Sequence, residues 1–273
     1  MKKGFWIILC MFFIPPVTFA GNMKLHYDRP AEYFEEALVI GNGTMGATLY
    51  GGVKKDKISF NDITLWTGEP ESENSSPDAF NTIPEIRALL DNEDYQGADK
   101  AQYKVQGHYS ENYQPLGTLT IEYLDDTAGI SDYHRWLDIG NATARTQYLK
   151  DGKLFTSDYF ASAPDSVIVI RLKSENKEGI HALLSFDSPL PHSSQVADNE
   201  ISVEGYAAYH SFPVYYKAED KHRYDPERGI HFKTLVRVLS VDGSVKNRYS
   251  DSRIEIDGST EVLILIANGT SFN

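Results

Sequence analysis

Cysteine is almost missing from this 273-residue sequence: its single thiol is Cys10, inside an N-terminal apolar run. Loss of that run with a targeting segment leaves no cysteine, which excludes a disulfide framework and a thiolate zinc site. Basic residues are also scarce beside acidic ones, 26 against 39, for a formal net charge of −13. Such a surface repels phosphate backbones and argues against a nucleic-acid partner. Neutral sugars need no charge steering and stay open as ligands. The apolar stretch Gly4 to Ile14 is too short for a membrane span. Lys2 and Lys3 precede it, Pro15-Pro16 breaks it, and Thr18-Phe19-Ala20 has the small-x-small form of a cleavage site. Residues 1–20 therefore read as a secretory signal peptide, with the mature domain over residues 21–273. Lipidation at Cys10 would need a small residue before it, and Leu9 stands there. The expected location is periplasmic or extracellular.

What is present is rich in aromatics, with 17 Tyr and 13 Phe, and patterned for strands. Ala47 to Tyr50 and Lys57 to Phe60 read as short strands near a Gly51-Gly52 turn. Glu69 to Asp78 is polar and reads as a surface loop. Thr82 to Gln106 is the one helical zone. Thr82 is the expected cap, Pro84 suits a first turn, and Ile83, Ile86, Leu89 and Leu90 share a face. A shorter helix is expected around Gly97 to Lys104. From Leu116 onward the pattern is strand after strand. Thr143–Tyr148 and Leu154–Phe160 flank the turn Lys150-Asp-Gly-Lys153, a hairpin signal. Ser166–Leu172 and Glu261–Ala267 read as buried strands, with further strands at Ile180–Phe186, Ile230–Val241 and Arg253–Ile256. Strands spaced about ten residues apart predict an all-β sandwich of antiparallel strands with one or two short helices. Only six residues follow the strand ending at Ala267, a stop that suits a longer protein cut short.

Chemistry-bearing motifs are few. Gly41-Asn-Gly-Thr-Met-Gly46 matches G-x-G-x-x-G, but strand and turn residues follow it rather than a helix. It reads as a glycine turn, not a nucleotide site. The sequence holds no H-E-x-x-H and no G-x-S-x-G. The histidines are scattered; His108, His134 and His210 read as surface or hydrogen-bonded groups. No metal and no cofactor is expected. The acidic pairs Glu35-Glu36 and Asp125-Asp126 read as solvated, and no acid stands out as a catalytic group. Trp66, Trp136 and Tyr113 can stack on a sugar ring, or serve as core and interface aromatics. Sequons at Asn42, Asn74, Asn141 and Asn268 matter only in a glycosylating host.

Several segments taken together resemble the N-terminal domain of glycoside hydrolase family 95, the inverting α-L-fucosidases. They are Leu25-His-Tyr-Asp-Arg-Pro-Ala31, Glu36-Ala-Leu-Val-Ile-Gly-Asn-Gly43 and Met45-Gly-Ala47, then Gly51-Gly-Val53 and Asn61-Asp-Ile-Thr-Leu-Trp-Thr-Gly68. Further on come Asn112-Tyr-Gln-Pro-Leu-Gly-Thr-Leu119, Tyr133-His-Arg-Trp-Leu-Asp138, Phe160-Ala-Ser-Ala-Pro-Asp-Ser-Val167 and Gly269-Thr-Ser-Phe272. Thr44, Phe34 and Ile63 depart from the family's usual residues. The resemblance implies a large β super-sandwich packed on an (α/α)6 barrel that carries the catalytic groups. None of those groups falls in the matched stretch, so it implies no catalytic residue here. It implies a domain of a secreted enzyme acting on fucosylated glycans, with the barrel as its partner. Asn42, Asn61, Trp66 and Gln114 are the candidate substrate-binding residues at the domain edge. Two alternatives stay open: an α-L-galactosidase of the same family, and a non-catalytic carbohydrate-binding or scaffold sandwich. A complete small enzyme would need two convergent carboxyl groups about 6.5–9.5 Å apart for inversion.

Overall fold

The computed structural model describes residues 23–70, 78–107 and 110–272. The expected signal peptide, Cys10, most of the polar loop after Glu69, Asn74 and His108 lie outside the described residues.

The first strands are β1 (Lys24–Tyr27), β2 (Leu38–Gly41), β3 (Met45–Leu49) and β4 (Lys55–Asp62). Two helices follow, α1 (Ala79–Asp91) and α2 (Tyr95–Gln102). Next come β5 (Gly117–Tyr123), β6 (Ile130–Asp138), β7 (Thr143–Lys150), β8 (Lys153–Ser162), β9 (Val167–Ser174) and β10 (Ile180–Asp187). Then β11 (His192–Ala197), β12 (Glu200–Tyr206), β13 (His210–Ser211) and β14 (His222–Arg223) lead to β15 (His231–Ser240). The chain closes with β16 (Ser244–Arg248), β17 (Arg253–Ser259) and β18 (Glu261–Thr270).

They form a nine-stranded sheet in the order β1-β6-β7-β8-β9-β18-β15-β12-β11 and a seven-stranded sheet in the order β16-β17-β10-β5-β4-β3-β2. All pairings among the described strands are antiparallel, so the expected all-β sandwich is what the chain adopts. Its cause is the two-residue period of the strands. On β4, Asp56, Ile58, Phe60 and Asp62 point inward while their neighbours are more exposed. On β18, Val262, Ile264 and Ile266 are fully buried. They share the core with Ile170, Leu172 and Val236 of the same sheet and Leu119, Ile121, Leu184 and Ile256 of the other. Each such side chain contributes about 1.5–3 kcal/mol by leaving water.

Turn chemistry sets the registers. In the β7–β8 hairpin Asp151 and Gly152 take φ of 50° and 73°, and Lys150 pairs with Lys153. That is type I′ geometry, in the hairpin expected from the sequence. The β11–β12 hairpin turns the same way on Asp198 and Asn199, at 50° and 60°. The glycine motif is the turn between β2 and β3. There Asn42 Oδ1 accepts from the backbone N–H groups of Thr44 (3.0 Å) and Met45 (2.8 Å), and Gly43 has φ of 94°.

The helical zone departs from expectation in one respect. α1 begins at Ala79, not after Thr82, and Pro84 sits inside it. Thr82 Oγ1 donates to the Asp78 carbonyl at 3.0 Å, so the side chain is a donor within the first turn rather than an accepting cap. α2 starts at Tyr95, where Asp94 accepts from the Gly97 N–H at 2.9 Å. The two helices pack against each other. The acidic pairs are solvated as expected, Glu35, Asp125 and Asp126 being exposed and Glu36 partly so, and two of them carry surface ion pairs. Glu36 accepts from Arg29 at 2.6 Å, and Asp126 from Lys150 at 2.8 Å.

Candidate functional site

One edge of the sandwich gathers polar side chains from segments distant in sequence. Its floor is Asp62 at the end of β4, which is buried. Asp62 accepts from the N–H and hydroxyl of Thr64 and, on its other oxygen, from Asn268 Nδ2 at 2.8 Å. Asn268 in turn accepts from Thr234 Oγ1 at 2.7 Å, and Thr64 and Thr270 hydroxyls meet at 2.6 Å. A carboxylate from the seven-stranded sheet thus fixes the ends of β15 and β18 in the nine-stranded one.

Above this floor, residues 65–68 run antiparallel to residues 111–114. Gln114 N–H donates to the Leu65 carbonyl at 2.9 Å and Thr67 N–H to the Asn112 carbonyl at 2.8 Å. Trp66 pairs with Tyr113 across this bridge, ring centroids 5.5 Å apart and 70° between planes. Trp66 Nε1 donates to the Ile63 carbonyl at 3.0 Å, which fixes the indole while the residue stays 42% exposed.

Glu111 ties the bridge to the segment around β13. Its carboxylate accepts from Thr67 Oγ1, from the Ser211 N–H at 3.0 Å and bonds His210 Nδ1 at 2.7 Å. Asn112 Nδ2 reaches the Ser211 carbonyl at 3.0 Å, and Ser211 Oγ meets His222 Nδ1 at 2.7 Å. Gly68 closes against this carboxylate. Its φ is 111°, and a Cβ there would lie 2.8 Å from Glu111 Cγ. Arg228 forms an ion pair with Glu69 and lies 3.7 Å from the Tyr209 ring centroid. The Arg228 hydrogen bonds hold the Glu69 carboxyl below the usual range.

These residues surround a cavity of about 630 Å³ lined by Trp66, Gly68, Glu111, Arg228, Ser271 and Phe272, among others. A larger open groove of about 910 Å³ adjoins it across Ser271, lined by Tyr206, His231, Lys233, Leu235 and Gly269. Both volumes are in the range of small-ligand sites. The site offers an aromatic face, oriented hydroxyls, an amide and fixed charges, a set suited to hydroxyl-rich ligands. Of the three carboxyl residues that line it, Glu69, Glu111 and Glu227, two are engaged. Glu111 is engaged by three partners and Glu69 by Arg228. The carboxyl that burial pushes up, Asp56 at about 6, lies in the core instead. Among the described residues no group of three or more His, Cys, Asp or Glu side chains is gathered for a metal, and no helix is long and apolar enough to cross a membrane.

Of the four residues marked in the sequence, Trp66 lines the cavity. Gln114 belongs to the bridge behind it, its Nε2 donating to the Tyr113 carbonyl at 3.2 Å. Asn42 is the turn residue described above and also donates to the Ser162 carbonyl at 3.0 Å. Asn61 stands exposed on β4 opposite Gly46. Sequence reading missed Glu111 and Arg228, while His210, expected as a surface or hydrogen-bonded group, is hydrogen-bonded to Glu111. No short motif joins Glu111 to a histidine 99 positions away.

A sequence-family model described as glycosyl hydrolase family 65, N-terminal domain, matches residues 25–273. The chain belongs to this family. Among curated relatives, "Alpha-L-fucosidase 2" of Arabidopsis thaliana is 28% identical over 258 residues, covering 92% of this chain and 30% of that protein. "Probable alpha-fucosidase A" of Aspergillus niger is 26% identical over 283 residues, covering 97% of this chain and 32% of its own. The chain therefore spans about a third of the length of these relatives. It is a glycoside hydrolase N-terminal domain. The matched description carries the family 65 title rather than the family 95 one that its segments resemble.

Proposed function

We propose that this chain is the N-terminal domain of a secreted α-L-fucosidase of the family 95 type, acting on fucosylated glycans. An (α/α)6 barrel elsewhere in the complete protein supplies its acid and base. One observation carries the reading. Three segments that carry the resemblance, Asn61–Gly68, Asn112–Leu119 and Gly269–Phe272, lie far apart in sequence yet meet at one edge of the sandwich. Two of them, with the adjacent Glu111, line the 630 Å³ cavity, and Tyr113 packs on its Trp66 wall. Two of the three carboxyl groups lining that cavity are engaged, as suits a domain that completes a glycan site formed with a partner. The α-fucosidase names of its relatives support this substrate class.

The test is to assay the 273-residue chain and the longer gene product that contains it against fucosylated oligosaccharides. The chain alone should release no sugar, and the longer product should release fucose with inversion of the anomeric centre. Release of L-galactose from matched substrates, with fucosides untouched, would assign the galactosidase alternative. Hydrolysis of neither would leave a binding or scaffold domain.

A further inference from the structure

We propose that the outer face of the nine-stranded sheet carries a second saccharide-binding site at its β1 edge, built on Trp136. β6 and β15 are five positions apart in that sheet, roughly 24 Å at ordinary strand spacing. The site is therefore separate from the groove beside His231 and from the Trp66 edge.

The register assembles it. His26 on β1 pairs with Trp136 on β6, and His134 two residues earlier pairs with Gln147 on β7. Lys24, His26, His134, Trp136 and Gln147 line a shallow, open groove of about 410 Å³. The indole is half-buried, so it is held in place and still offers surface. A register shift between Ser131 and His134, with Asp132 at φ 51°, bends β6 at this point. Such a bulge re-aims the side chains beside it. Here it lies next to His134, whose ring sits 5.1 Å from His26, centroid to centroid. Asp132 holds His134 Nε2 at 3.1 Å, while His134 Nδ1 is shielded from water and has no hydrogen-bond partner.

The charges specify a neutral ligand. Lys24 is already paired with Asp138 at 3.4 Å, and Arg145, 5.8 Å from the Trp136 ring centroid, with Asp158. An anionic sugar would have to displace those carboxylates. A neutral pyranose instead lays its C–H face on the indole and takes hydrogen bonds from Gln147 and His26, which the ion pairs leave available.

Native affinity electrophoresis of the full chain tests this, using gels cast with xyloglucan, mixed-linkage β-glucan, galactomannan or polygalacturonate. At least one neutral polysaccharide should retard the chain more than polygalacturonate does. Trp136→Ala should abolish the retardation. His26→Ala, a change at an exposed strand position that leaves the core intact, should weaken binding about threefold or more. Phe80→Ala, at an exposed aromatic of α1 that lines neither site, should leave it unchanged. The site is refuted if no neutral polysaccharide retards the chain, if polygalacturonate retards it more, or if folded His26→Ala and Trp136→Ala proteins bind like the parent. Loss with Trp66→Ala alone would place binding at the other edge and refute it equally.

Discussion

Tyr159 on β8 donates a 2.8 Å hydrogen bond to Oδ2 of Asp56 on β4, so the two sheets are joined through a carboxyl in the core. The Gly52 N–H supplies a second bond, to Oδ1 at 2.9 Å. Burial still dominates and pushes the Asp56 pKa up from 3.8 to about 6. The unfolded chain thus ionises this group from about pH 4, and the folded chain only from about pH 6. Its contribution to stability is full below pH 4, falls as pH rises from 4 to 6, and is lost above, by roughly 3 kcal/mol. Asp56→Asn should remove that slope. Denaturant unfolding of both proteins across pH 4–7 reads it, and parallel curves would contradict it.

Arg135 is a buried cation held by backbone carbonyls. Its Nε donates to Arg29 at 2.7 Å, a second nitrogen donates to Glu36 at 2.8 Å, and its guanidinium lies 4.1 Å from the Tyr27 ring centroid. A lysine cannot make this two-pronged contact. Arg135→Lys should cost about 1–3 kcal/mol through the carbonyl left unpaired. Hydrogen exchange should show the loss over residues 24–37 first. Unchanged protection there would mean that the clip is not what fixes the N-terminal strand.

Glu111 holds the segment around β13 to the Trp66 bridge through three partners. Glu111→Ala should cost about 1–3 kcal/mol, because the Ser211 N–H and Thr67 hydroxyl lose their acceptor. Trypsin should then cut at Lys217 and Lys221 faster than in the parent. An unchanged cleavage rate would mean that other contacts hold the segment.

How much of this was legible follows from which signals are local. The β7–β8 hairpin shows in the sequence because Asp151-Gly152 marks its turn and β7 alternates, with Ala144, Thr146 and Tyr148 inward. The β11–β12 hairpin escaped because Ser193, Ser194 and Gln195 mask the alternation, although Asp198-Asn199 makes the same kind of turn. The start of α1 was displaced because a threonine that donates backward looks like one that accepts forward. At the edge site, Trp66 and Gln114 were visible as motif residues. Glu111, His210 and Arg228 acquire meaning only from long-range pairing, which no periodicity encodes.

The account places Trp66 at a glycan-facing edge rather than at a merely structural one. The direct test is kcat/KM for fucose release by the longer gene product carrying Trp66→Ala, measured with its thermal midpoint. The expected result is a loss of about tenfold or more, near 1.4 kcal/mol of transition-state stabilisation, with the midpoint unmoved. An unchanged kcat/KM, or an intact product that releases no fucose at all, would contradict it.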